Sequence, residues 1–557
     1  MSIFYHESTQ TFHLTNGEIS YLMKVLPNGA LGQLYCGQAV RDRESFDHLL
    51  ELRSRPMSSC VFEGNRYFSL EHCKQEYPVY GSTDFRHPAV ELCQPNGSRI
   101  TDFVYHSHTV TPGKPALPGL PATYCEADGE AETLTVCLRD PLLEVELYLN
   151  YTIFAGQPAL ARSACLKNRG GQDLHLTAAM SLSLDLPDSG YEFVHFSGAW
   201  SRERFMKVRQ LEQGIQSVES TRGHSSHNHN PFIMLRRPGT DEDKGEVMGF
   251  SLVYSGNFLA QVEVDNWDTA RVTMGINPFG FDWKLSPGGE FQTPEAVMVY
   301  SSQGMGAMSR AFHKLYRTRL ARGYWRDRPR PVLLNNWEAT YFDFTEDKLV
   351  AIAEAAQKDG VELFVLDDGW FGARTHESAG LGDWVANPDR LPGGITRLAE
   401  RVDRLGLRFG LWFEPEMANK DSDLYRAHPD WIIQTPGRRS SPGRNQYVLD
   451  FSRPEVVDHI YGMMAKILSE AKVSYIKWDM NRSITEAFSA ALPPDRQGEL
   501  FHRYILGVYD LYERLNTAFP HVLFESCASG GGRFDPGLLY YAPQGWASDD
   551  SDAVERL

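Results

Sequence analysis

Val473-Ser474-Tyr475-Ile476-Lys477-Trp478-Asp479-Met480-Asn481-Arg482 opens as a buried β-strand and closes on a cation, an indole, a carboxylate and an amide. A run that is apolar at its start and reactive at its end sets those groups at the rim of a sheet. There a packed core holds them still while they reach a ligand. Asp479 is the candidate nucleophile on this reading, and the neighbouring Lys477 is expected to favour its ionised form.

The same grammar repeats on both sides of this stretch. Val332–Trp337 reads as a strand, and Thr345 caps a helix whose Leu349, Ile352, Ala353 and Ala356 share one face before Gly360 ends it. Leu363–Asp368 is the next strand, Ile395–Leu405 a helix and Arg408–Glu414 a strand. Pro454 opens a helix through Val457, Ile460, Met464 and Leu468, which leads into the Asp479 strand. Glu499–Leu515 is helical, Val522–Cys527 is a strand, and a further strand ends near Trp546.

Repeated β-α units mean a mainly parallel sheet, either doubly wound or closed as a TIM barrel. Trp337, Asp367 and Asp368, Trp412 and Glu414, Asp479, Cys527 and Asp549 fall at or just past the C-terminal ends of successive strands. A barrel turns such ends into one ring around one pocket, whereas an open sheet spreads them along an edge. With no G-x-G-x-x-G and no phosphate loop, the (β/α)8 TIM barrel is the expected fold of residues 331–557. Six strands are legible where eight are needed, so the barrel is expected to be incomplete and the chain a fragment.

Upstream, the periodicity changes. Val145, Leu147, Leu149, Tyr151 and Ile153 alternate with Glu144, Glu146, Tyr148, Asn150 and Thr152, and similar runs recur near Glu18–Leu26 and Ala296–Tyr300. Many short strands between turn residues predict a large β-sandwich over 1–305. A basic helix near 308–322 and Asp327-Arg-Pro-Arg-Pro then form a helical linker over 306–330.

At 557 residues with 23% charged and 42% hydrophobic residues, the chain is a multidomain globular protein. A net charge of −17 argues against nucleic acid or an anionic membrane as partner. The N-terminus carries no secretory signal, no stretch has the length to span a bilayer, and eight scattered cysteines form no C-x-x-C pair, so a cytoplasmic location is expected. His224, His227 and His229 match no metal-ligand spacing and read as a polar loop. Glu76–Arg86, polar and aromatic without periodicity, is open to reading as an interaction loop.

Carboxylates at several strand ends, with tryptophan between them, point to glycoside hydrolysis. One carboxylate must attack or activate water while another protonates the leaving oxygen, and an indole covers the apolar face of a sugar ring. The second carboxylate is sought in Ser548-Asp549-Asp550-Ser551-Asp552, where crowded acids raise one another's pKa. An acidic turn or helix cap explains those residues equally well. Asp367-Asp368 fits a grip on hydroxyls, a metal site or a cap, with metal the weakest choice because the ring has no histidine.

Leu366-Asp-Asp-Gly-Trp-Phe-Gly372, Trp412-Phe-Glu-Pro-Glu416, Lys477-Trp-Asp-Met-Asn-Arg482, Cys527-Ala-Ser-Gly-Gly-Gly-Arg533 and Ser548-Asp-Asp-Ser-Asp552 resemble the α-galactosidases of glycoside hydrolase family 36. The resemblance covers essentially the whole chain. It implies an N-terminal β-supersandwich before the barrel, two further barrel strands and a C-terminal β domain. It also implies release of terminal α-linked galactose from small oligosaccharides such as melibiose and raffinose, with retention and without cofactor or metal, by an enzyme often tetrameric. By resemblance Asp479 is the nucleophile and Asp549 the acid/base. Asp367 and Asp368 hold the 4- and 6-hydroxyls, and Trp337 and Trp412 wall the pocket. Arg444, Lys477 and Asn481 give hydrogen bonds, and Cys527 and Gly530 face the 2-hydroxyl. An α-N-acetylgalactosaminidase or a transglycosylase on the same scaffold, a non-catalytic sugar-binding protein and a metal-dependent hydrolase are the alternatives.

Overall fold

The computed structural model describes residues 1–555 and divides into two compact units. The first comprises Met1–Ser197, Arg204–Thr221 and His229–Leu320, and the second Gly198–Glu203, Arg222–Asn228 and the described residues from Ala321 onward. The helix Gly304–Arg319 groups with the first unit.

The first unit is built of antiparallel sheets with four, six and ten strands among the described residues. Strand Val145–Phe154 shows why. Val145, Leu147 and Leu149 are buried and alternate with half-buried Glu146, Tyr148 and Asn150, and from Tyr151 onward both faces are covered. The long strand Leu174–Leu186 packs against Ala159–Asn168 of the larger sheet.

Glu76–Arg86 serves this core. Glu76 pairs with Arg162 at 2.6 Å and accepts from the hydroxyls of Tyr21 and Tyr151. Arg86 reaches Asp84 at 2.8 Å and Asp185 at 3.4 Å, and Asp185 in turn takes a two-pronged contact from Arg271. Buried charge of this kind is tolerated only when paired and hydrogen-bonded on all sides.

The second unit carries the β-α alternation. Its strands are β1 (Leu333–Asn335), β2 (Leu363–Leu366), β3 (Arg408–Phe413), β4 (Tyr475–Trp478), β5 (Leu523–Ser526) and β6 (Gln544–Gly545). They pair in sequential order, all parallel. Helices α1 (Glu346–Lys358), α2 (Gly394–Arg404), α3 (Pro454–Glu470) and α4 (Leu500–Ala518) separate successive pairs from β1 to β5.

Local sequence explains the helix boundaries. The Thr345 hydroxyl accepts from the Lys348 amide at the α1 N-terminus, and Pro454 stands in the first turn of α3. Leu349, Ala353 and Ala356 of α1, and Val457, Ile460, Met464 and Leu468 of α3, are buried. The strand expected over Val332–Trp337 is shorter. It stops at Asn335, and Trp337 begins a helical turn, because the Asn335 side chain accepts from the Trp337 amide and bends the chain. Parallel pairing puts all the C-terminal strand ends on one rim. Among the described residues no helix is long and apolar enough to cross a membrane.

Candidate active site

A cleft of about 1050 Å³ opens on that rim. Nine of the residues singled out from sequence line it: Trp337, Asp367, Asp368, Trp412, Arg444, Lys477, Asp479, Asn481 and Asp549. Cys527 and Gly530 are not in its lining.

Asp479 follows β4 directly and is buried. Its Oδ2 accepts from Asn481 Nδ2 at 2.8 Å and from the Trp412 indole at 3.2 Å, and its Oδ1 accepts from the backbone amides of Met480 at 2.9 Å and Ser529 at 3.2 Å. Burial alone would raise its pKa. The Lys477 charge, the bonds from Asn481 and Cys527 and the Arg444 charge outweigh burial and hold the carboxyl below its usual range.

Lys477 acts on Asp479 through space and spends its hydrogen bond elsewhere. Its Nζ lies 3.0 Å from Asp367 Oδ2. Burial opposes its charge, but Asp367, Cys527, Asp479 and Glu525 together raise its pKa. Asp367 also accepts from Asn335 Nδ2. Asp368, one residue on, takes both prongs of the Arg374 guanidinium at 2.9 and 2.8 Å. Burial raises the Asp368 pKa against that ion pair. One acid of the pair is thus tied to a lysine and the other to an arginine, and both present oxygens to the cleft.

Asp549 is held differently. Its two oxygens accept from two indoles, Trp546 at 3.0 Å and Trp200 at 2.9 Å. Burial and the Asp479 charge raise its pKa, while Trp200, Lys477 and Trp546 limit the rise. Two carboxyl groups in one cleft are therefore pushed in opposite directions, the arrangement that separates a permanent anion from a proton carrier.

The loop Cys527–Arg533 supports both. The Cys527 thiol is buried near Asp479, and burial and that charge push it well above the usual thiol range. Gly530 has φ of +75°, and a Cβ there would stand 2.5 Å from the Asp549 backbone nitrogen. Only glycine allows this approach. The histidine stretch anchors the loop: His224 Nδ1 meets the Gly532 carbonyl at 2.8 Å, and His227 Nε2 meets that of Ser529 at 2.7 Å. Burial pushes His224 down to about 3, so it packs as a neutral imidazole.

Several lining residues were not singled out as candidates. Arg374 and Glu525 point into the cleft from outside the quoted motifs, Trp200 belongs to a turn between two strands, and Glu414 follows β3. The strand-end rule marks Glu414, but nothing local marks Trp200.

Known proteins resemble this chain along nearly its full length. The family model described as the glycosyl hydrolase family 36 N-terminal domain matches residues 29–286, and the melibiase model matches 290–557. Alpha-galactosidase AgaA of Geobacillus stearothermophilus is 53% identical over 557 residues, spanning 100% of this chain and 76% of its own length. Alpha-galactosidase Mel36A of Lactobacillus acidophilus is 46% identical over 559 residues, 99% of this chain and 76% of its own. A crystal structure of an AgaA variant in complex with raffinose superposes with a TM-score of 0.96, covering 98% of this chain and 76% of that one at 53% identity. Similarity at this level, carried through both family models, makes the chain a member of glycoside hydrolase family 36.

Proposed function

We propose that this protein is a retaining α-galactosidase that removes terminal non-reducing α-D-galactosyl residues from oligosaccharides such as melibiose and raffinose. Asp479 attacks C1 while Asp549 passes its proton to the departing glycosidic oxygen. The C1–O bond breaks and a β-galactosyl ester forms on Asp479. Asp549, now a carboxylate, takes a proton from water as that water attacks C1 and expels Asp479. Two inversions restore the α configuration.

What carries the reading is two carboxyls of one cleft in unlike settings: Asp479 accepts from Asn481, Trp412 and two backbone amides and is lowered by the Lys477 charge, while Asp549 accepts from two indoles and is raised by burial and by Asp479. Asp367 and Asp368 are assigned to the galactose 4- and 6-hydroxyls. Arg444, Lys477 and Asn481 add hydrogen bonds, Trp337 and Trp412 form the walls, and the Cys527–Gly530 loop faces the 2-hydroxyl. A tetramer of this chain acting in the cytoplasm is part of the same proposal, with β1–β6 taken as strands of a (β/α)8 barrel.

The test is hydrolysis of an aryl α-galactoside followed by proton NMR, with Asp479→Asn alongside. The proposal expects α-galactose to appear first, no turnover by the variant, and a carboxyl separation of about 5–5.5 Å in a ligand complex. Initial release of β-galactose, or turnover by Asp479→Asn, would overturn it. An aryl α-N-acetylgalactosaminide in the same assay separates the two sugar specificities.

A further inference from the structure

Glu414 is a rim acid that the double displacement leaves unused. It follows β3, is fully buried and borders the cleft. The β3–β4 ladder pairs Phe413 with Trp478, and the next amide, that of Asp479, donates to the Phe413 carbonyl at 2.8 Å. Glu414 and Asp479 therefore stand at one level on adjacent strands and face the same side of the sheet.

Each oxygen of Glu414 holds a donor that leads back to the site. Oε1 accepts from the Asn481 backbone amide at 2.7 Å, and Oε2 accepts from the Gln446 side-chain amide at 2.8 Å. The Asn481 side chain donates to Asp479 and accepts from the Ser529 amide and hydroxyl. Gln446 and Gly443 exchange backbone hydrogen bonds around Arg444 and Asn445. Those two residues have φ of 50° and 59°. Such left-handed conformations persist in non-glycine residues only when their surroundings impose them.

The charged groups facing Glu414 are Asp479 just after β4, Arg444 on its loop and Arg374 after Asp368. The nearby cations are committed elsewhere, half-buried Lys477 to Asp367 and buried Arg374 to Asp368, and Arg444 is exposed. Neighbouring buried carboxyls oppose each other's ionisation, and the negative charge settles on the better-solvated one: Asp479 accepts from Asn481, Trp412 and two backbone amides, Glu414 from two donors. Burial and the Asp479 charge accordingly push Glu414 well above the usual carboxylate range, against Arg444 and the Asn481 bond.

We propose that Glu414 is a positioning residue for the nucleophile, a buried carboxyl that clamps Asn481 against Asp479 on one side and the Arg444 loop on the other. The inference rests on the assignment of Asp479 as nucleophile.

Glu414→Gln and Glu414→Ala test it with an aryl α-galactoside, with Asp479→Ala alongside. Glutamine is neutral at every pH and keeps the shape. Glu414→Gln should lose less than about tenfold in kcat/KM at neutral pH, with the alkaline limb of its profile moved upward because one group that must stay protonated is gone. Glu414→Ala should lose kcat by more than about a hundredfold while KM changes far less. An equal loss in both variants at every pH, or an unaltered alkaline limb in Glu414→Gln, overturns the inference. If Glu414→Ala does not fold, the Glu414→Gln profile decides alone. Turnover by Asp479→Ala removes the parent assignment and this inference with it, an outcome distinct from both.

Discussion

The indole N–H of Trp200 donates to Asp549 Oδ2 over 2.9 Å, although the two residues stand 349 positions apart in the chain. Trp546, three positions before Asp549, donates to the other oxygen. One indole is local. The other arrives on Gly198–Glu203, which groups with the catalytic unit. A hydrogen bond to the ionised form favours that form, so Trp200 limits a rise in pKa that burial and Asp479 impose.

Trp200→Phe keeps a ring and removes the donor. The Asp549 pKa should then rise further, and the part of the alkaline limb of kcat/KM that Asp549 sets in the proposed mechanism, beside that of Glu414, should move to higher pH. The second half of the proposed double displacement uses Asp549 as a base held in place, so kcat should fall. A hydrogen bond to a charged group contributes about 1.5–3 kcal/mol when buried, and Trp200 is exposed, so a loss of about tenfold is expected. A pH profile of the variant with an unmoved alkaline limb would contradict this role.

Lys477→Met acts on the opposite limb. The lysine charge is the largest influence lowering the Asp479 pKa, so its removal leaves burial to raise it. Less of the nucleophile is then ionised at acidic pH, and the acid limb of kcat/KM should move upward. Asp367 also loses its 3.0 Å partner and a hydroxyl-gripping geometry with it. Together these predict a fall in kcat/KM of at least about a hundredfold at neutral pH. A variant that is slower by the same factor at every pH would show that the charge does not set the nucleophile.

Part of the cleft lining was legible because a parallel sheet lines up its C-terminal ends. Reading where six strands stop was enough to bring Asp367, Trp412, Asp479 and Asp549 to one rim. What stayed hidden has physical reasons. Trp200 meets Asp549 across 349 positions, and a tryptophan in a turn between two strands carries no local mark of that contact. In Trp412–Glu416 the period of two puts Glu414 and Glu416 on the same face, yet Glu414 borders the cleft while Glu416 is tied to Arg533, Trp478 and Tyr504. Parity alone cannot separate the two acids; the strand end does, and it marks Glu414, which directly follows Phe413. The charges of Glu76–Arg86 had no periodicity to betray them either, since their partners Arg162, Asp185 and Arg271 come from distant strands.

Gly530→Ala separates geometry from chemistry. The added Cβ would meet the Asp549 nitrogen at 2.5 Å, and the left-handed φ of +75° disfavours any side chain. The backbone term costs about 1–2 kcal/mol of stability. The larger effect should be on rate, because relieving the clash moves the Ser548–Asp549 backbone, and a shift of about 1 Å at a reacting group costs on the order of a hundredfold. The expected result is a folded protein with a modestly lowered melting temperature and kcat reduced by about two orders of magnitude. Full activity in a folded Gly530→Ala variant would mean that Asp549 tolerates displacement.

Arg533 and Glu416 form a fully buried ion pair with contacts of 2.7 and 2.9 Å, and Glu416 also accepts from the Trp478 indole and the Tyr504 hydroxyl. Arg533→Met leaves that carboxylate without its cation, which should destabilise the protein by about 3–5 kcal/mol. Adding Glu416→Leu removes the stranded charge, so the double variant should be more stable than the single one despite carrying an extra substitution. It should not reach the parent, because the indole and hydroxyl donors each lose an acceptor at about 1–3 kcal/mol. Urea unfolding midpoints of the three proteins check this order. A double variant less stable than Arg533→Met would show that packing around the substituted side chain, and not the uncompensated charge of Glu416, causes the loss.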